Sequence, residues 1–502
     1  MNISVRYFGP IFLLCGALLA TDGRAQQPAY GPADPVARDP AHFDARRPIE
    51  RELATHVPDG FDVAVVGDLI ISRPLSQYSE RIPGFRSVLD RLQHTDVTVG
   101  NLETAIFDPR GFSGAPYSWE GDWTNAALPG VAADLRGMGF AMVARANNHV
   151  LDWGLEGMRE TSRWLDEAGI VYAGIGETHG QARAPRYYES KRGRVALVSI
   201  ASTFRPTSES LPPSGAAPGR PGLSALHVTP VVELPAKAIG ELHDVQCVLH
   251  GGPCGKPPAE GQLFGMKYRQ AQRASYQYLV DGEDRAEILR AVRTAKQNAD
   301  FVVVMIHSHE CSQGCDDDEA PRGPAEFLKQ LAHDAIDSGA DIFATTGNHN
   351  LGPIEIYRSP ARGYRPVFYG LGNFFWSDVQ ELLPRDLFQA NRGLLADSWR
   401  YPERATEYDL TAPLNRASFA HDYTFQSVIA ECRFEGGQLA RIELRAIEEG
   451  YGSPLTESGI PRVVTDAAAA AVIYRQVSDR TAAFGLPALK LSQDGPTATV
   501  RP

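Results

Sequence analysis

Several short apolar runs in this chain each end in a cluster of polar residues. The runs are 62–66, 96–99, 140–144, 301–306 and 341–344, and the clusters after them are Gly67-Asp68, Gly100 to Glu103, Asn147 to His149, His307 to Glu310 and Gly347 to Asn350. Runs of this kind predict buried strands. Because strand carboxyl ends in an open α/β sheet line one crevice, the clusters are expected to meet there. One such residue is usually a helix cap, whereas five strand ends favour a site.

Helical patterns alternate with these runs, which predicts an α/β fold. The predicted helices cover 83–93, 128–138, 154–168, 282–298, 324–338 and 462–484. Two stretches, about 204–275 and 376–420, interrupt the alternation and are interpreted as insertions of irregular structure, the first a flap beside the site. We predict a main domain over 59–450 and a helical extension over 451–502.

The first residues have the pattern of an export signal. Arg6 supplies a positive charge, 8–20 is apolar, and small residues around Ala25 offer a cleavage site. The apolar run is shorter than the roughly 20 residues of a membrane-spanning helix. Residues 1–25 therefore predict an exported protein, periplasmic or extracellular, with membrane association through an uncleaved signal as the alternative. Residues 26–58 are predicted to be an exposed leader.

The net charge of the chain indicates which classes of partner are disfavoured, and its cysteines bear on disulfide formation in the compartment to which it is exported. The chain has 49 basic and 61 acidic residues, a net charge of −12, which disfavours nucleic acid and anionic membrane surfaces as partners. Cys247 and Cys254 lie close together, as do Cys311 and Cys315, so an oxidising compartment predicts two local disulfides. A zinc site is the weaker alternative, since neither pair has zinc-knuckle spacing.

The strand-end residues offer metal-binding and acid–base chemistry. Asp68 and Glu103 can bind a divalent cation, although a helix cap or an ion pair explains either one alone. An amide oxygen of Asn148 can complete a cation shell, and His149 beside it can act as an acid or polarise a substrate. The alternative for these two is an Asn-rich turn with an exposed His.

Three further histidines follow the later strands. His307 and His309 alternate along a strand, so they are expected to point to opposite faces unless the strand has ended. At most one of them is then a direct metal ligand. His349 lies in the loop after a buried run, where a metal ligand and a simple turn residue are equally good interpretations.

Together these clusters resemble a known family. The segments that carry the resemblance are Gly67-Asp68, Asn101 to Glu103, 146–154 (ANNHVLDWG), 306–310 (IHSHE) and 369–375 (YGLGNFF). They resemble the poly-γ-glutamate capsule synthesis (CapA-type) proteins, which are similar to calcineurin-like metallophosphoesterases. The resemblance implies a four-layer α/β/β/α metallophosphoesterase-like sandwich over the matching part, with a metal site at the strand ends.

Carried over residue by residue, the resemblance implies a metal shell and an acid. The shell consists of Asp68, Glu103, Asn148, His307 and His349. His149 is the acid or polarising group. From its place beside His307, we further predict His309 as a catalytic residue behind the shell. The implied cofactor is a divalent cation of the Mn, Zn, Fe or Mg type.

Three departures from the metallophosphoesterase pattern bear on the number of cations. Ile70 stands where a His is usual, Asn101 stands where an Asp is usual, and the last motif keeps His349 alone. These departures favour one cation over a dinuclear centre.

The resemblance also implies an activity. We expect an exported metal-dependent hydrolase or transferase that acts on an anionic envelope polymer or on a small amide or ester substrate, in poly-γ-glutamate capsule biosynthesis or handling. Other envelope biosynthesis proteins are expected partners. The alternatives are a phosphoesterase and a non-catalytic protein that binds or anchors polymer.

Overall fold

Two large β-sheets with helices on their outer faces form the body of this protein. The computed structural model describes residues 50–117, 124–252, 255–312, 323–377, 383–406, 408–410, 413 and 422–502, which lie within one unit, 45–502. The predicted signal and most of the predicted leader lie outside the described residues.

Each of the five apolar runs overlaps a strand and each predicted helix overlaps an observed one, and further short strands and helices lie between them. The described strands are β1 (Phe61–Ile71), β2 (Val97–Leu102), β3 (Ala105–Ile106), β4 (Ala126–Ala127), β5 (Phe140–Ala144), β6 (Val171–Ala173), β7 (Ile175–Gly176), β8 (Arg186–Ser190), β9 (Gly193–Ala201), β10 (Gly222–Leu223), β11 (Val228–Leu234), β12 (Glu260–Leu263), β13 (Met266–Gln270), β14 (Ser275–Val280), β15 (Phe301–His307), β16 (Ile342–Thr346), β17 (Ile354–Ser359), β18 (Gly363–Phe368), β19 (Asn373–Ser377), β20 (Gln426–Glu435), β21 (Gln438–Glu448), β22 (Arg462–Val463), β23 (Leu491–Asp494) and β24 (Thr497–Val500). The described helices are α1 (Glu50–Leu53), α2 (Phe85–His94), α3 (Gly130–Met138), α4 (Gly154–Ala168), α5 (His179–Arg183), α6 (Ala236–His250), α7 (Gly282–Asn298), α8 (Glu326–Asp337), α9 (Arg385–Ala390) and α10 (Ala467–Ala483).

The strands that carry the polar clusters lie at the centres of the two large sheets. The larger sheet has the order β23-β24-β21-β20-β1-β2-β5-β6, with β19 also paired to β1 and β22 to β21. The smaller has the order β17-β18-β16-β15-β9-β8. Strands β1, β2 and β5 run parallel in one sheet, and β9, β15 and β16 run parallel in the other. Their carboxyl ends therefore gather on one edge of each sheet.

Alternation along β1 separates two cores. Val63 and Val65 belong to an inner core shared with the smaller sheet, and Ala64 and Val66 belong to an outer core with α2 and α3. Successive side chains of a strand point to opposite faces, so β1 has an apolar layer on each side.

Alternation along β15 completes the layers. Residues 301, 303 and 305 join the inner core, whereas residues 302, 304 and 306 join an outer core with α7 and α8. The order of layers is helix, sheet, sheet, helix, as the sequence resemblance implies.

The first predicted insertion differs from the expectation of irregular structure. The described residues of this insertion include helix α6 and the strands β11, β12 and β13. These strands form a small sheet with β14 in the order β12-β13-β11-β14. Pro and Gly residues mask the short alternating patterns of these strands in the sequence. In the second insertion, α9 packs through Leu387 and Phe388 into a small apolar cluster, and several neighbouring residues lie outside the described ones.

The C-terminal extension is not helical throughout. Helix α10 begins at Ala467 rather than at 462, because the side chain of Asp466 accepts a hydrogen bond from the Ala469 backbone N–H at 2.7 Å and caps the helix there. Strand β24 then pairs with β21 and buries Ala498 and Val500 in the inner core. The end of the chain is thus part of the larger sheet.

The described end of the predicted leader contacts the main domain rather than being exposed throughout. Within the predicted leader, Val57 is buried in the inner core and Glu52 pairs with Arg293 of α7 at 3.2 Å, so this end of the leader packs on the domain.

Among the described residues, none of the helices combines the length and apolar character needed to cross a bilayer.

Candidate metal centre

The strand β1 bends where it presents its carboxylate. Its register shifts against β2 between Val65 and Asp68, and against β19 between Asp68 and Leu69. Such irregularities re-aim a side chain. At Gly67 a Cβ atom would lie 1.7 Å from the Gly372 carbonyl oxygen, so only glycine fits beside the strand at this point.

The Asp68 carboxylate is fully buried, and three residues from β2 and from the loop after β16 lie against it. Asn101 Nδ2 donates to Oδ1 at 2.8 Å, and the Gly347 backbone N–H donates to Oδ2 at 3.0 Å. His349 Nδ1 lies 3.4 Å from Oδ2. Burial by itself raises the pKa of Asp68, but the hydrogen bond and charge of His349, with a further effect of His307, lower it to about 2. The carboxylate is therefore charged at neutral pH.

Glu103, His307 and His309 form a second set beside Asp68. Glu103 is fully buried, and its Oε1 lies 3.4 Å from His307 Nε2. His307 Nε2 lies 3.0 Å from His309 Nε2. The two imidazoles thus reach the same place, which is the exception expected for a strand that has ended. The reason is that β15 ends at His307, and the His309 backbone N–H instead donates to Thr203 Oγ1 at 2.8 Å.

His349 borders the site on the side of the smaller sheet. Its φ is +51°, a left-handed conformation that few non-glycine residues adopt. Nδ1 lies 2.8 Å from Asn373 Oδ1, and the ring stacks on Trp376 with centroids 5.9 Å apart. Burial lowers the pKa of His349, but the hydrogen bond to Asp68 and the charge of Glu103 outweigh it and raise the pKa to about 9. One quarter of the side chain is exposed.

The loop after β5 holds His149 against the same cluster. Asn147 Nδ2 donates to the Leu102 carbonyl oxygen at 2.8 Å, which ties this loop to the end of β2. His149 Nδ1 lies 2.7 Å from Asp152 Oδ2, and Nε2 lies 3.8 Å from Glu103 Oε1. His149 is thus buried, unlike the exposed turn residue of the alternative interpretation, and its role as an acid or polarising group stays a prediction.

Asn148 lies between Asn147 and His149. Its side chain is buried, and its Oδ1 has no hydrogen-bond partner within the described part of the chain. A buried amide oxygen without a partner is costly unless it accepts from water or binds a cation. This atom therefore fits the ligand role that the sequence resemblance implies.

Two overlapping groups of potential ligands result. Glu103, His307 and His309 form one group, and Asp68, Glu103 and His349 form the other; in each, one ligand atom per residue lies within 4.8 Å of the rest. Burial, and then the charge of His309, hold the pKa of His307 well below its usual value, so its imidazole is in the neutral form that binds metals. Buried carboxylates and imidazoles fit a divalent cation such as Mn, Fe or Zn.

The matching family agrees with the position of this cluster along the chain. The sequence profile described as "Bacterial capsule synthesis protein PGA_cap" matches residues 62–377, which include every residue of both ligand groups. The protein belongs to this family. As a PGA_cap protein it shares the part of the chain that builds the centre, whereas strands β20 to β24 lie beyond the matched residues.

The chain is also similar to individual proteins, two of which are named for capsule or PGA biosynthesis. Two proteins of Sinorhizobium fredii, described as uncharacterized proteins y4sH and y4uA, are each 38% identical over 87% of this chain and 93% of their own length. "PGA biosynthesis protein CapA" of Bacillus subtilis is 24% identical over 64% of this chain and 65% of its own length. "Capsule biosynthesis protein CapA" of Bacillus anthracis is 23% identical over 62% of this chain and 59% of its own length.

Sequence reasoning about this PGA_cap protein missed several residues that shape the centre. Asn101 Nδ2 donates a hydrogen bond to Asp68 Oδ1 and also lies 3.2 Å from His307 Nδ1. In the sequence, Asn101 stood out only as a departure from the metallophosphoesterase pattern. Asp152 and Asn373 stand inside the motifs that carried the resemblance, which was the available signal. Arg205, which lies 2.9 Å from Asp152, stands in the predicted insertion and has no such signal.

The predicted disulfides remain predictions. Cys254 and Cys315 lie outside the described residues, so neither pair is described as a whole. Cys432 is a free cysteine and is buried in the inner core.

Proposed function

We propose that this protein is a metal-dependent hydrolase or transferase that acts on amide or ester linkages of an envelope polymer. The observation that supports the proposal best is the pair of ligand groups that share Glu103, with His149 Nε2 3.8 Å from the shared carboxylate. A potential proton donor beside a cluster of metal ligands is the arrangement that hydrolytic metal sites use.

We propose that Asp68, Glu103, Asn148, His307 and His349 hold the cation, and that His309 joins Glu103 and His307 in the second group. When bound, a divalent cation polarises a carbonyl or phosphoryl oxygen and lowers the pKa of water. Two ligand groups offer two cation positions, so we expect up to two cations per chain. A measured content of one cation per chain would support the expectation of a single cation that follows from the departures from the metallophosphoesterase pattern.

His149 has the geometry of the acid. Because Nδ1 is engaged by the Asp152 carboxylate, Nε2 is the nitrogen that faces the ligand groups. A proton held on Nε2 can pass to a leaving amine or alcohol on the side of Glu103. Positioned acids of this kind contribute roughly 10²–10⁴-fold to a rate.

The substrate class is proposed from the family and the charge. Names of relatives refer to capsule and PGA biosynthesis, and we propose an anionic polymer of that kind as the substrate. A chain with net charge −12 needs local positive charge to hold an anionic polymer, and bound cations would supply it at the site. We also propose that the protein is exported, on the pattern of residues 1–25.

A metal titration with matched variants tests the proposal. Asp68→Asn removes a buried carboxylate of one ligand group, whereas Asp62→Asn, in the same strand, removes a partly exposed one that pairs with Arg433 at 2.9 Å. We expect metal content, measured by mass spectrometry after dialysis, to fall in Asp68→Asn and to remain in Asp62→Asn. Equal metal content in both variants, or none in the wild type, would contradict the metal centre and favour a non-catalytic polymer-binding protein.

Activity screening then separates the two enzyme classes. Purified protein is assayed with Mn²⁺, Zn²⁺, Fe²⁺ or Mg²⁺ on γ-linked glutamyl amides, a phosphomonoester and a phosphodiester. We expect turnover of the amides and loss of turnover without loss of metal in His149→Gln. His333→Gln is the matched control, since His333 of α8 lies 2.9 Å from Glu355 of β17 and belongs to neither ligand group. Turnover confined to the phosphate esters would instead support the phosphoesterase alternative.

A further inference from the structure

The Asp152 carboxylate connects three loops next to the metal centre. Asp152 is fully buried. Its Oδ2 accepts from the Asn125 backbone N–H at 2.8 Å and lies 2.7 Å from His149 Nδ1. Its Oδ1 lies 2.9 Å from Arg205 Nη2. The orientation of His149 thus depends on a carboxylate whose own position is fixed from its other side.

Arg205 comes from the segment that follows β9, outside the loop that carries His149. Its side chain is 6% exposed. Besides Asp152, the guanidinium donates through Nη1 to the Tyr117 carbonyl oxygen, and the Tyr117 backbone N–H donates to the Asp152 carbonyl oxygen at 2.6 Å. Arg205 therefore joins the chain before residue 118 to the His149 loop.

The shape of the guanidinium matters for this contact. Arg205 places one nitrogen on a carboxylate and another on a backbone carbonyl, two contacts that a planar fork can make at once. A lysine ammonium is a compact charge without this fixed geometry. A charged neighbour is also needed, because Asp152 is buried and its carboxylate would otherwise be an isolated negative charge beside His149.

We infer that Arg205 is a positioning residue, which holds Asp152 so that His149 keeps its Nε2 directed at the shared ligand Glu103. The inference rests on the proposed function only in assigning a rate effect to this position. The positional effect on the loops is independent of it. Residue 205 lies in the predicted insertion, so the inference also gives the start of that segment a place in the site.

Kinetic variants test the rate effect. We expect Arg205→Ala to retain its metal and to lose roughly 10–100-fold in kcat with little change in KM, in line with the loss of groups that orient a functional side chain. Arg205→Lys should recover only part of this loss. Guanidinium ion at low millimolar concentration should restore activity to Arg205→Ala, whereas urea at the same concentration should not. The matched control is Arg269→Gln, in β13, where an exposed arginine pairs with Glu233 at 2.6 Å.

Hydrogen exchange tests the positional effect without any substrate. In Arg205→Ala, peptides covering 147–154 and 105–117 should exchange faster than in the wild type and in Arg269→Gln, while exchange in the inner-core strands stays unchanged. If the wild type turns over no substrate, the proposed function fails and this measurement still decides the role of Arg205.

Three outcomes would overturn the inference. Unchanged exchange in both peptides would show that Arg205 does not hold these loops. Full activity of Arg205→Ala would show that its position is irrelevant to His149. Loss of metal together with faster exchange throughout the inner core would assign Arg205 a general structural role instead.

Discussion

Removal of the Asp341 charge should destabilise the protein far more than removal of an exposed carboxylate. Asp341 precedes β16, at the end of the strand away from the metal centre. Its Oδ1 lies 2.5 Å from Arg362 Nη2 and 3.3 Å from Arg365 Nε, and its Oδ2 lies 3.4 Å from Lys296 Nζ. The Val302 backbone N–H also donates to Oδ2 at 2.9 Å. All four charged side chains are at least 95% buried.

The pKa of Asp341 gives the order of magnitude of its charge's contribution. Burial raises this pKa, but Arg362, Lys296 and Arg365 outweigh it and lower the pKa from 3.8 to about 2. Since one pKa unit corresponds to about 1.4 kcal/mol, the charged form contributes about 2 kcal/mol at neutral pH. Asp341→Asn also leaves three buried cations without their carboxylate, so we expect a loss of roughly 3–5 kcal/mol.

The same pKa predicts how the effect depends on pH. A carboxyl group with a lowered pKa in the folded state stabilises the protein above its unfolded pKa, and this contribution is lost as the pH falls from 3.8 through about 2. The part of the difference between wild type and Asp341→Asn that comes from this pKa should therefore shrink to about half at pH 3. Above pH 5 the difference should be constant.

Urea unfolding followed by both circular dichroism and tryptophan fluorescence measures the effect. Glu177→Gln is the control, since Glu177 pairs with Arg159 at 2.7 Å but both side chains are about half exposed. Such exposed pairs contribute at most about 1 kcal/mol. Equal losses in the two variants at pH 7, or a loss in Asp341→Asn that does not change between pH 7 and pH 3, would refute the reasoning.

Three other predictions concern the site and the core. Gly67→Ala should lower stability by about 3 kcal/mol or more and lower metal content, because its Cβ would meet the Gly372 carbonyl oxygen. By contrast, Gly137→Ala, in α3, should gain about 0.5–1 kcal/mol in urea unfolding, because outside its own helix the added Cβ meets no atom of the described residues within 4 Å. Mn²⁺ or Zn²⁺ at 100 times its dissociation constant should raise the free energy of unfolding by about 2.7 kcal/mol, seen as a higher Tm in scanning fluorimetry, and an unchanged Tm would count against the centre. Tyr474→Phe should lose about 1–3 kcal/mol by urea unfolding, because the buried hydroxyl donates to the Leu444 carbonyl oxygen at 2.9 Å and accepts from the Ala446 N–H at 3.0 Å, and a loss below 0.5 kcal/mol would contradict this role.

The amino-acid sequence by itself predicts the order of the layers and the edge of the sheets at which the site lies. The apolar run at 62–66 lies in the first half of β1 and that at 301–306 makes up nearly all of β15, because strands buried on both faces are built mainly from apolar residues. Polar residues directly after such strands have one edge of the sheet available to them. For that reason the sequence predicts Asp68, Glu103 and His307 as neighbours, although β1 continues past Asp68 to Ile71, with a shift of register at this residue.

Only the tertiary structure decided which side chains reach one another. The ending of β15 at His307 lets His309 turn back to lie 3.0 Å from the His307 ring, and this depends on a hydrogen bond to Thr203 in a distant segment. Arg205 meets Asp152 for the same kind of reason, since the two are 53 positions apart in sequence and adjacent only once β9 and β5 lie in their sheets. Periodicity in a sequence reports the face of a strand, whereas these contacts depend on where strands stop and how loops cross, which local pattern does not encode.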